Sequence, residues 1–133
     1  MILRLAGILG ALGIIAGSFT AHGLEDWLIG QGYEDVALKR VGQAETGVRY
    51  HLIHAVASVS IVGISERYHR RKYLTIQSLM LGGILLFSGS LYLLVLLNLP
   101  VMGAITPLGG LAWIAGWILV ALPCRKCETQ AAD

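Results

Sequence analysis

Charged residues are scarce in this sequence: they make up 14% of its 133 residues, whereas apolar residues make up 56%. Soluble domains carry roughly 25% charged residues, so this chain has too little charge to cover a surface that faces water. Its formal net charge is only +2, and its basic residues do not alternate with aromatic ones. A nucleic-acid-binding surface is therefore not expected. The length suits a single domain.

Cysteine is also rare, and Cys124 and Cys127 are the two cysteines of the chain. They form a lone CxxC near the C-terminus and cannot supply a disulfide framework. Structural zinc takes about four ligands, so the pair alone does not predict a metal site. The neighbouring Arg125 and Lys126 favour the thiolate form, which leaves a redox role open. Residues 124–133 are predicted to be a disordered cytoplasmic tail.

Charge is missing most completely from three stretches, residues 5–21, 50–65 and 73–124. A helix needs about 20 mainly apolar residues to cross a bilayer. The last stretch is too long for one span, and the turn signal Asn98-Leu99-Pro100 divides it. The pattern predicts an all-α membrane protein whose single domain, residues 1–123, is a bundle of four transmembrane helices. The predicted spans cover residues 2–22, 46–66, 73–98 and 102–122.

The second predicted span and the connector before it fit the apolar pattern of a four-span protein less well. The second predicted span contains two histidines and begins beside Glu45 and Arg49, and without it the chain would have three spans. The connector between the first two spans is polar, but Leu24, Trp27 and Leu28 lie one helical turn apart within it. This spacing predicts a short helix that lies in the membrane interface.

The basic residues predict the orientation of the spans. With four spans, both termini and the 67–72 loop lie on one side of the membrane, and this side holds seven of the ten basic residues. The positive-inside rule makes that side the cytoplasm, so both termini are expected to be cytoplasmic. The alternative of a signal peptide cleaved near Ala16-Gly17-Ser18 is disfavoured by the glycines that recur before this point. The seven basic residues are Arg4, Arg67, Arg70, Arg71, Lys72, Arg125 and Lys126.

The second predicted span has one polar face. Gly47, His51, His54 and Ser58 fall on the same side of a helix, which is too polar for lipid tails and should face the neighbouring helices. There, serines or backbone carbonyls would satisfy both imidazoles. Metal binding by the two histidines and a proton relay are alternatives, but no carboxylate or cysteine lies at ligand spacing, so no metal or other cofactor is expected. The candidate intramembrane polar cluster comprises His22, His51, His54, Ser58 and Ser88.

Glycines recur at helical spacing in the first, third and fourth predicted spans. Small residues allow helix backbones to approach closely within a membrane, and Gly13 and Gly17 form a GxxxG pair. The predicted helix-packing positions are Gly10, Gly13, Gly17, Gly82, Gly89, Gly109 and Gly116.

Four motifs together resemble a known family. They are GSFTAHG at residues 17–23, TGVRYHLIHA at 46–55, FSGSLY at 87–92 and GAITPLGG at 103–110. In this order they resemble the YgdD-like family of small bacterial inner-membrane proteins, a domain-of-unknown-function family with relatives in eukaryotes. The chain departs from the family pattern at Thr20, where the family usually has a glycine, and in its terminal cysteine pair. The resemblance implies a four-helix inner-membrane protein, and it implies no activity.

Three function classes fit these patterns unequally. The leading hypothesis is a non-enzymatic structural or accessory protein that contacts the lipid bilayer and associates with itself or with a larger membrane complex. The alternative is a small transporter or channel that uses the polar face of the second span. A metal-binding protein using His51 and His54 is the third. An enzyme is not expected, because the charge-free stretches of the predicted spans contain no carboxylate and no motif indicates a particular reaction.

Overall fold

A computed structural model describes residues 1–122, and it is helical throughout this range, without strands. Cys124, Cys127 and the predicted tail lie outside the described residues. The helices are α1 (Ile2–His22), α2 (Leu24–Gly30), α3 (Ala37–Gly63), α4 (Arg70–Gly83), α5 (Ser90–Leu96) and α6 (Thr106–Ala121).

The segments between these helices are mostly helical as well. A π-helical turn, Ile84–Gly89, joins α4 directly to α5, so that Arg70–Leu96 is one continuous rod. Short 3-10 turns at Glu34–Val36, Ser65–Arg67 and Pro100–Ala104 make the other connections. The chain therefore folds as a few long rods with tight turns between them.

Within residues 1–122, three rods are long and apolar enough to cross a membrane. They are Ile2–His22, Arg70–Leu96 and Pro100–Ala121, which correspond to the first, third and fourth predicted spans. Helix α3 is not among them, although its 27 residues make it long. Two histidines and Arg49 lower its apolar character. By length and composition, α3 is therefore not one of the candidate membrane spans.

The boundaries of α3 differ from the prediction. The helix begins at Ala37 rather than near residue 46, and it ends at Gly63 rather than at 66. A single Gly42 does not interrupt it, because a lone glycine costs only about 1 kcal/mol in a helix that tertiary packing supports. The predicted interfacial helix is α2, but its Leu24 and Leu28 are buried against protein rather than turned towards lipid.

Helix α3 is the centre of the bundle. It packs against α1 on one side and against α4, the π-helical turn and α5 on the other. Helix α6 packs mainly on α4 and the π-helical turn, and two of its tryptophans reach α3. Because other helices cover one side of α3, the polar side chains on that side, including His51, His54 and Ser58, lie inside the protein.

Two apolar clusters mark the two ends of the bundle. At one end Ile2 packs near Tyr68 and Ile76, and the Lys72 ammonium donates a 2.8 Å hydrogen bond to the Leu122 carbonyl. This end therefore holds the start of α1, the turn between α3 and α4, and the end of α6. At the other end, Leu24 and Leu28 of α2 pack with residues from α3 and α5. That second cluster contains Leu24, Leu28, Ala37, Ala44, Leu94 and Val95.

Candidate functional site

The polar face of α3, defined here as Gly47, His51, His54 and Ser58, is buried along its whole length. Both imidazoles and the Ser58 side chain are at most 4% exposed. The helical repeat places these residues on one side, and the neighbouring rods cover that side. The face is a polar strip enclosed by otherwise apolar helices.

His51 connects α3 to α5. Its Nδ1 lies 3.1 Å from the Tyr92 hydroxyl, and the two atoms share a hydrogen bond. Its Nε2 is buried without a hydrogen bond. On the α1 side the ring is close to Gly13, where an added Cβ would lie 3.4 Å from the imidazole Cγ. A glycine at this position lets α1 approach the ring.

His54 connects α3 to α6, and both of its ring nitrogens are engaged. Nδ1 lies 2.9 Å from the Tyr50 carbonyl, which can only accept, so Nδ1 carries the proton. The Trp117 indole N–H donates to Nε2 at 3.3 Å, so Nε2 offers its lone pair. The imidazole is therefore neutral, and its tautomer is fixed by its neighbours. The ring also stacks on Trp113, with centroids 3.7 Å apart.

Ser88 lies in the π-helical turn and bonds to α3. Its hydroxyl donates a 2.8 Å hydrogen bond to the Gly47 carbonyl. Gly47 has no side chain in the way, and an added Cβ would lie 3.1 Å from Tyr92 Cε1. This contact depends on the glycine, the serine and the wider π-helical turn together.

Ser58 contacts α4 through its backbone. The Gln77 amide Nε2 donates a 3.0 Å hydrogen bond to the Ser58 carbonyl, and Gln77 is 1% exposed. The Ser58 hydroxyl and Gln77 Oε1 are both buried without a hydrogen-bond partner. With His51 Nε2 they are the three buried side-chain atoms in residues 1–122 that lack a partner.

His22 is separate from this cluster. It is exposed at the end of α1 and lines a cavity of about 310 Å³ with Glu25, Asp26 and Glu45. Among the described residues, no three His, Cys, Asp or Glu side chains come together as a metal site. The structure thus brings together His51, His54, Ser58 and Ser88 along α3 and leaves His22 outside.

The predicted glycines of α1 and α6 contact neighbouring helices. A Cβ added at Gly109 would collide with the Phe87 backbone, and a Cβ added at Gly116 would lie 3.1 Å from Met80 Cε. Added Cβ atoms at Gly13 and Gly17 would lie 2.7 Å from Leu52 Cδ2 and 3.1 Å from Val48 Cγ1. The contact at Gly10 is looser, at 4.0 Å from the Ala55 Cβ. The GxxxG pair of α1 therefore packs on side chains of α3.

The rod from α4 to α5 uses a different glycine from those predicted. An added Cβ at Gly82 would meet nothing within 4 Å, and at Gly89 it would meet only the Ile84 carbonyl, at 4.0 Å. Gly83 is the packing position, because its Cβ would collide with the Trp113 indole. One residue along a helix turns the side chain by about 100°, which takes Gly82 away from α6.

Comparison with known proteins identifies the family. The family model described as "Protein of unknown function (DUF423)" matches residues 16–110. The chain is 36% identical over 124 residues to the UPF0382 membrane protein YwdK of Bacillus subtilis (strain 168), covering 90% of this chain and 94% of that protein. This chain belongs to the DUF423/UPF0382 membrane protein family. The resemblance seen in its motifs is confirmed.

Two further UPF0382 proteins show the same extent of similarity. The UPF0382 inner membrane protein YgdD of Escherichia coli (strain K12) is 33% identical over 132 residues, covering 96% of this chain and 92% of that protein. A UPF0382 membrane protein of Haemophilus influenzae is 34% identical over 127 residues, covering 96% and 95%. No solved structure matches the chain. The relatives' names state a membrane protein and no activity.

Some residues of this UPF0382 protein that take part in the buried contacts were not predicted from the sequence. Gln77 is the clearest case, although a carboxamide within a predicted span was a signal for an interior position. The aromatic partners Trp113 and Trp117 gave no such signal, because tryptophan is common at membrane interfaces. Thr20, the departure from the family pattern, lines three cavities around the end of α1, where the packing is loose.

Proposed function

We propose that this UPF0382 protein crosses the inner membrane four times, with both termini in the cytoplasm. We further propose that it acts as a non-enzymatic accessory protein that self-associates within the membrane.

The size and position of α3 support a fourth crossing. At 1.5 Å per residue its 27 residues extend about 40 Å, more than the roughly 30 Å of bilayer hydrocarbon. Its polar face would not have to meet lipid, because α1 and the Arg70–Leu96 rod cover it. Ile2 at the start of α1 packs against the cluster that contains Tyr68 from the turn after α3, so the two crossings by α1 and α3 would return the chain to the same end.

The observation that carries the non-enzymatic assignment is that polar groups of the interior form hydrogen bonds between helices. The Trp117 indole donates to His54 Nε2, the Ser88 hydroxyl donates to the Gly47 carbonyl, and Gln77 donates to the Ser58 carbonyl. Within membranes such bonds hold helices together, at about 1 kcal/mol each. A general acid or base needs a free nitrogen facing a substrate, and His54 offers none.

Helix α1 supports self-association. It packs mainly along α3, and most of its remaining surface is exposed, including Ile8 and Ile14. On that outer surface an added Cβ at Gly7 meets no atom of the protein within 4 Å, and the exposed Ala11 follows one turn later. Small residues four apart allow a second helix to approach closely. The same surface on two copies would be self-complementary.

Native mass spectrometry of the protein extracted in mild detergent tests this proposal. We expect a dimer or a higher oligomer of this chain, and we expect Gly7→Leu to convert it to monomer without lowering its melting temperature. Ile14→Leu, an exposed substitution on the same helix, should leave the oligomer intact. A wild-type protein that is monomeric, also after extraction with its native lipids, would contradict self-association.

Transport of a small polar species is the second candidate function. The observation that favours it is the presence of His51 Nε2, Ser58 Oγ and Gln77 Oε1 as buried atoms without partners. Polar groups inside membrane proteins often mark pathways. Protein in liposomes loaded with a pH-sensitive dye tests proton conduction, with His51→Phe as the variant expected to abolish it. Equal rates in empty liposomes and in liposomes with wild-type protein would remove this candidate.

A further inference from the structure

Ser58 differs from other hydroxyl residues of the long helices. Thr46, Ser60 and Thr75 each donate to a carbonyl four residues earlier in their own helix, at 2.9 to 3.0 Å. This back-bond is the usual way in which a hydroxyl is satisfied within a helix. The Ser58 hydroxyl does not make it, although Ser58 is 0% exposed and has no solvent within reach. The Ser58 hydroxyl is thus buried and not satisfied by its own helix.

Gln77 adds a second unpaired atom to the same contact between helices. Its Nε2 donates to the Ser58 carbonyl at 3.0 Å, and Oε1 is bonded to the same carboxamide carbon. The orientation of the amide is fixed, because exchanging its two ends would set an oxygen against the Ser58 carbonyl oxygen. Thus Ser58 of α3 and Gln77 of α4, which share one hydrogen bond, each leave one side-chain oxygen unpaired.

The surroundings give these two atoms no other partner. Ile61, one turn after Ser58, and Ile76 and Met80, which flank Gln77, are buried members of one apolar cluster. An unpaired polar group in such surroundings is strongly unfavourable, and nearly all buried polar groups in proteins find a partner, often an ordered water. The two atoms need a partner that donates to Gln77 Oε1 and accepts from the Ser58 O–H.

We propose that Ser58 and Gln77 form a buried site between α3 and α4 that binds a water molecule. Water donates a proton to Gln77 Oε1 and accepts one from the Ser58 hydroxyl, which matches the two free functions. The same oxygens could coordinate a sodium ion, but residues 50–65 and 73–122 contain no Asp or Glu to offset its charge. The ligand is therefore a neutral molecule that can both donate and accept a hydrogen bond. This site is independent of the accessory function proposed above.

NMR of protein in lipid nanodiscs tests the site directly. Protein carrying ¹⁵N-labelled glutamine shows the Gln77 side-chain amide, which is assigned by its loss in Gln77→Met. In the wild type we expect a cross-peak from this amide to the water resonance. Ser58→Ala removes one side of the site and should abolish the cross-peak. Ser60→Ala, an exposed serine on the same helix with its own back-bond, should retain it.

Three results would overturn the proposal. The first is a wild-type Gln77 amide with cross-peaks to side chains and none to water, which does not depend on the folding of any variant. The second is a water cross-peak that persists in Ser58→Ala, which would exclude the hydroxyl from the site. The third is a shift of the amide resonance when sodium replaces choline in the buffer, which would assign the site to a cation.

Discussion

His54 lies flat against Trp113, with ring centroids 3.7 Å apart and ring planes inclined by 6°. Tyr50 stacks on the same indole at 5.7 Å, and the indole N–H donates to the Met80 carbonyl at 3.0 Å. Trp117 approaches the imidazole from its edge. The imidazole thus belongs to an aromatic cluster that connects α3 to α6, and Trp113 connects this cluster to α4. These contacts give an ionisable residue of the interior a structural role.

Replacing His54 should therefore reduce stability. His54→Ala removes the stacking on Trp113 and leaves a cavity, and truncations of large buried side chains cost roughly 2–5 kcal/mol. His22→Ala, at an exposed position, should change stability by less than about 0.5 kcal/mol. Thermal unfolding in detergent, followed by tryptophan fluorescence, measures both. Similar melting temperatures for the two variants would contradict the structural role of His54.

Two adjacent glycines of α6 should respond differently to the same substitution. Gly109→Ala puts a methyl group into the Phe87 backbone, which cannot move aside as a side chain end can, and overpacking costs about 1–3 kcal/mol. The neighbouring Gly110→Ala meets nothing closer than 3.9 Å and should be neutral. Unfolding in detergent measures the difference. An equal change in both variants would contradict the role of the contact with Phe87, because helix propensity alone favours alanine over glycine at both positions.

Arg40 and Asn98 connect α3 to the turn after α5. Arg40 is 6% exposed, and its guanidinium donates to Asn98 Oδ1 from Nε at 3.1 Å and from Nη2 at 2.6 Å. Asn98 also has a φ of +48°, a conformation that asparagine and glycine tolerate best. Asn98→Gly keeps this conformation but removes the acceptor.

We expect Asn98→Gly to lower stability by about 1.5–3 kcal/mol, the range for hydrogen bonds to charged groups. Asn98→Asp is the matched control, because it retains the acceptor oxygen and adds a negative charge, so its stability should equal or exceed that of the wild type. Chemical unfolding of the three proteins in the same detergent gives the comparison. A stable Asn98→Gly protein would show that the backbone conformation alone is what the turn requires.

Reporter fusions test the proposed topology. With four crossings, fusions after Lys72 and after Cys127 should both report the cytoplasm, whereas a fusion at Gly32, between α2 and α3, should report the periplasm. The expectation follows from the seven-to-three division of basic residues. If α3 did not cross, the reporters at Gly32 and after Lys72 would lie on the same side of the membrane, because no other candidate span separates them. Signals from the same side at these two positions would therefore contradict four crossings.

The long apolar runs allowed much of the fold to be predicted. The rods Ile2–His22, Arg70–Leu96 and Pro100–Ala121 agree with the predicted spans, because burial in lipid demands the same uninterrupted apolar composition along each of them. The helical extension of α3 back to Ala37 was not predicted, because residues 37–45 contain no long apolar run. Packing at Gly82 was assigned one residue from the contact at Gly83, because sequence spacing defines the face of a helix only approximately.

The candidate site was only partly predictable. The enclosure of His51 and His54 follows from their cost in lipid, and the structure places both inside the bundle. Their partners Tyr92 and Trp117 lie 41 and 63 residues away in sequence, and no local pattern indicates such pairs. The role of Gln77 could not be predicted either, because it depends on the contact with Ser58, which only the folded structure brings close.

The central position of α3 has a consequence for biosynthesis. The hydrogen bonds that α3 receives from later helices come from the side chains of Gln77, Ser88, Tyr92 and Trp117, all of which are synthesised after α3 itself. When α3 leaves the ribosome, α1 is the one long neighbour already present, so we expect its stable insertion to wait until the last rod has arrived. Chains stopped at Gly63 should be extracted from membranes by alkaline carbonate more readily than chains stopped at Leu122. Membrane integration of this protein would then be a property of the finished chain rather than of each helix in turn.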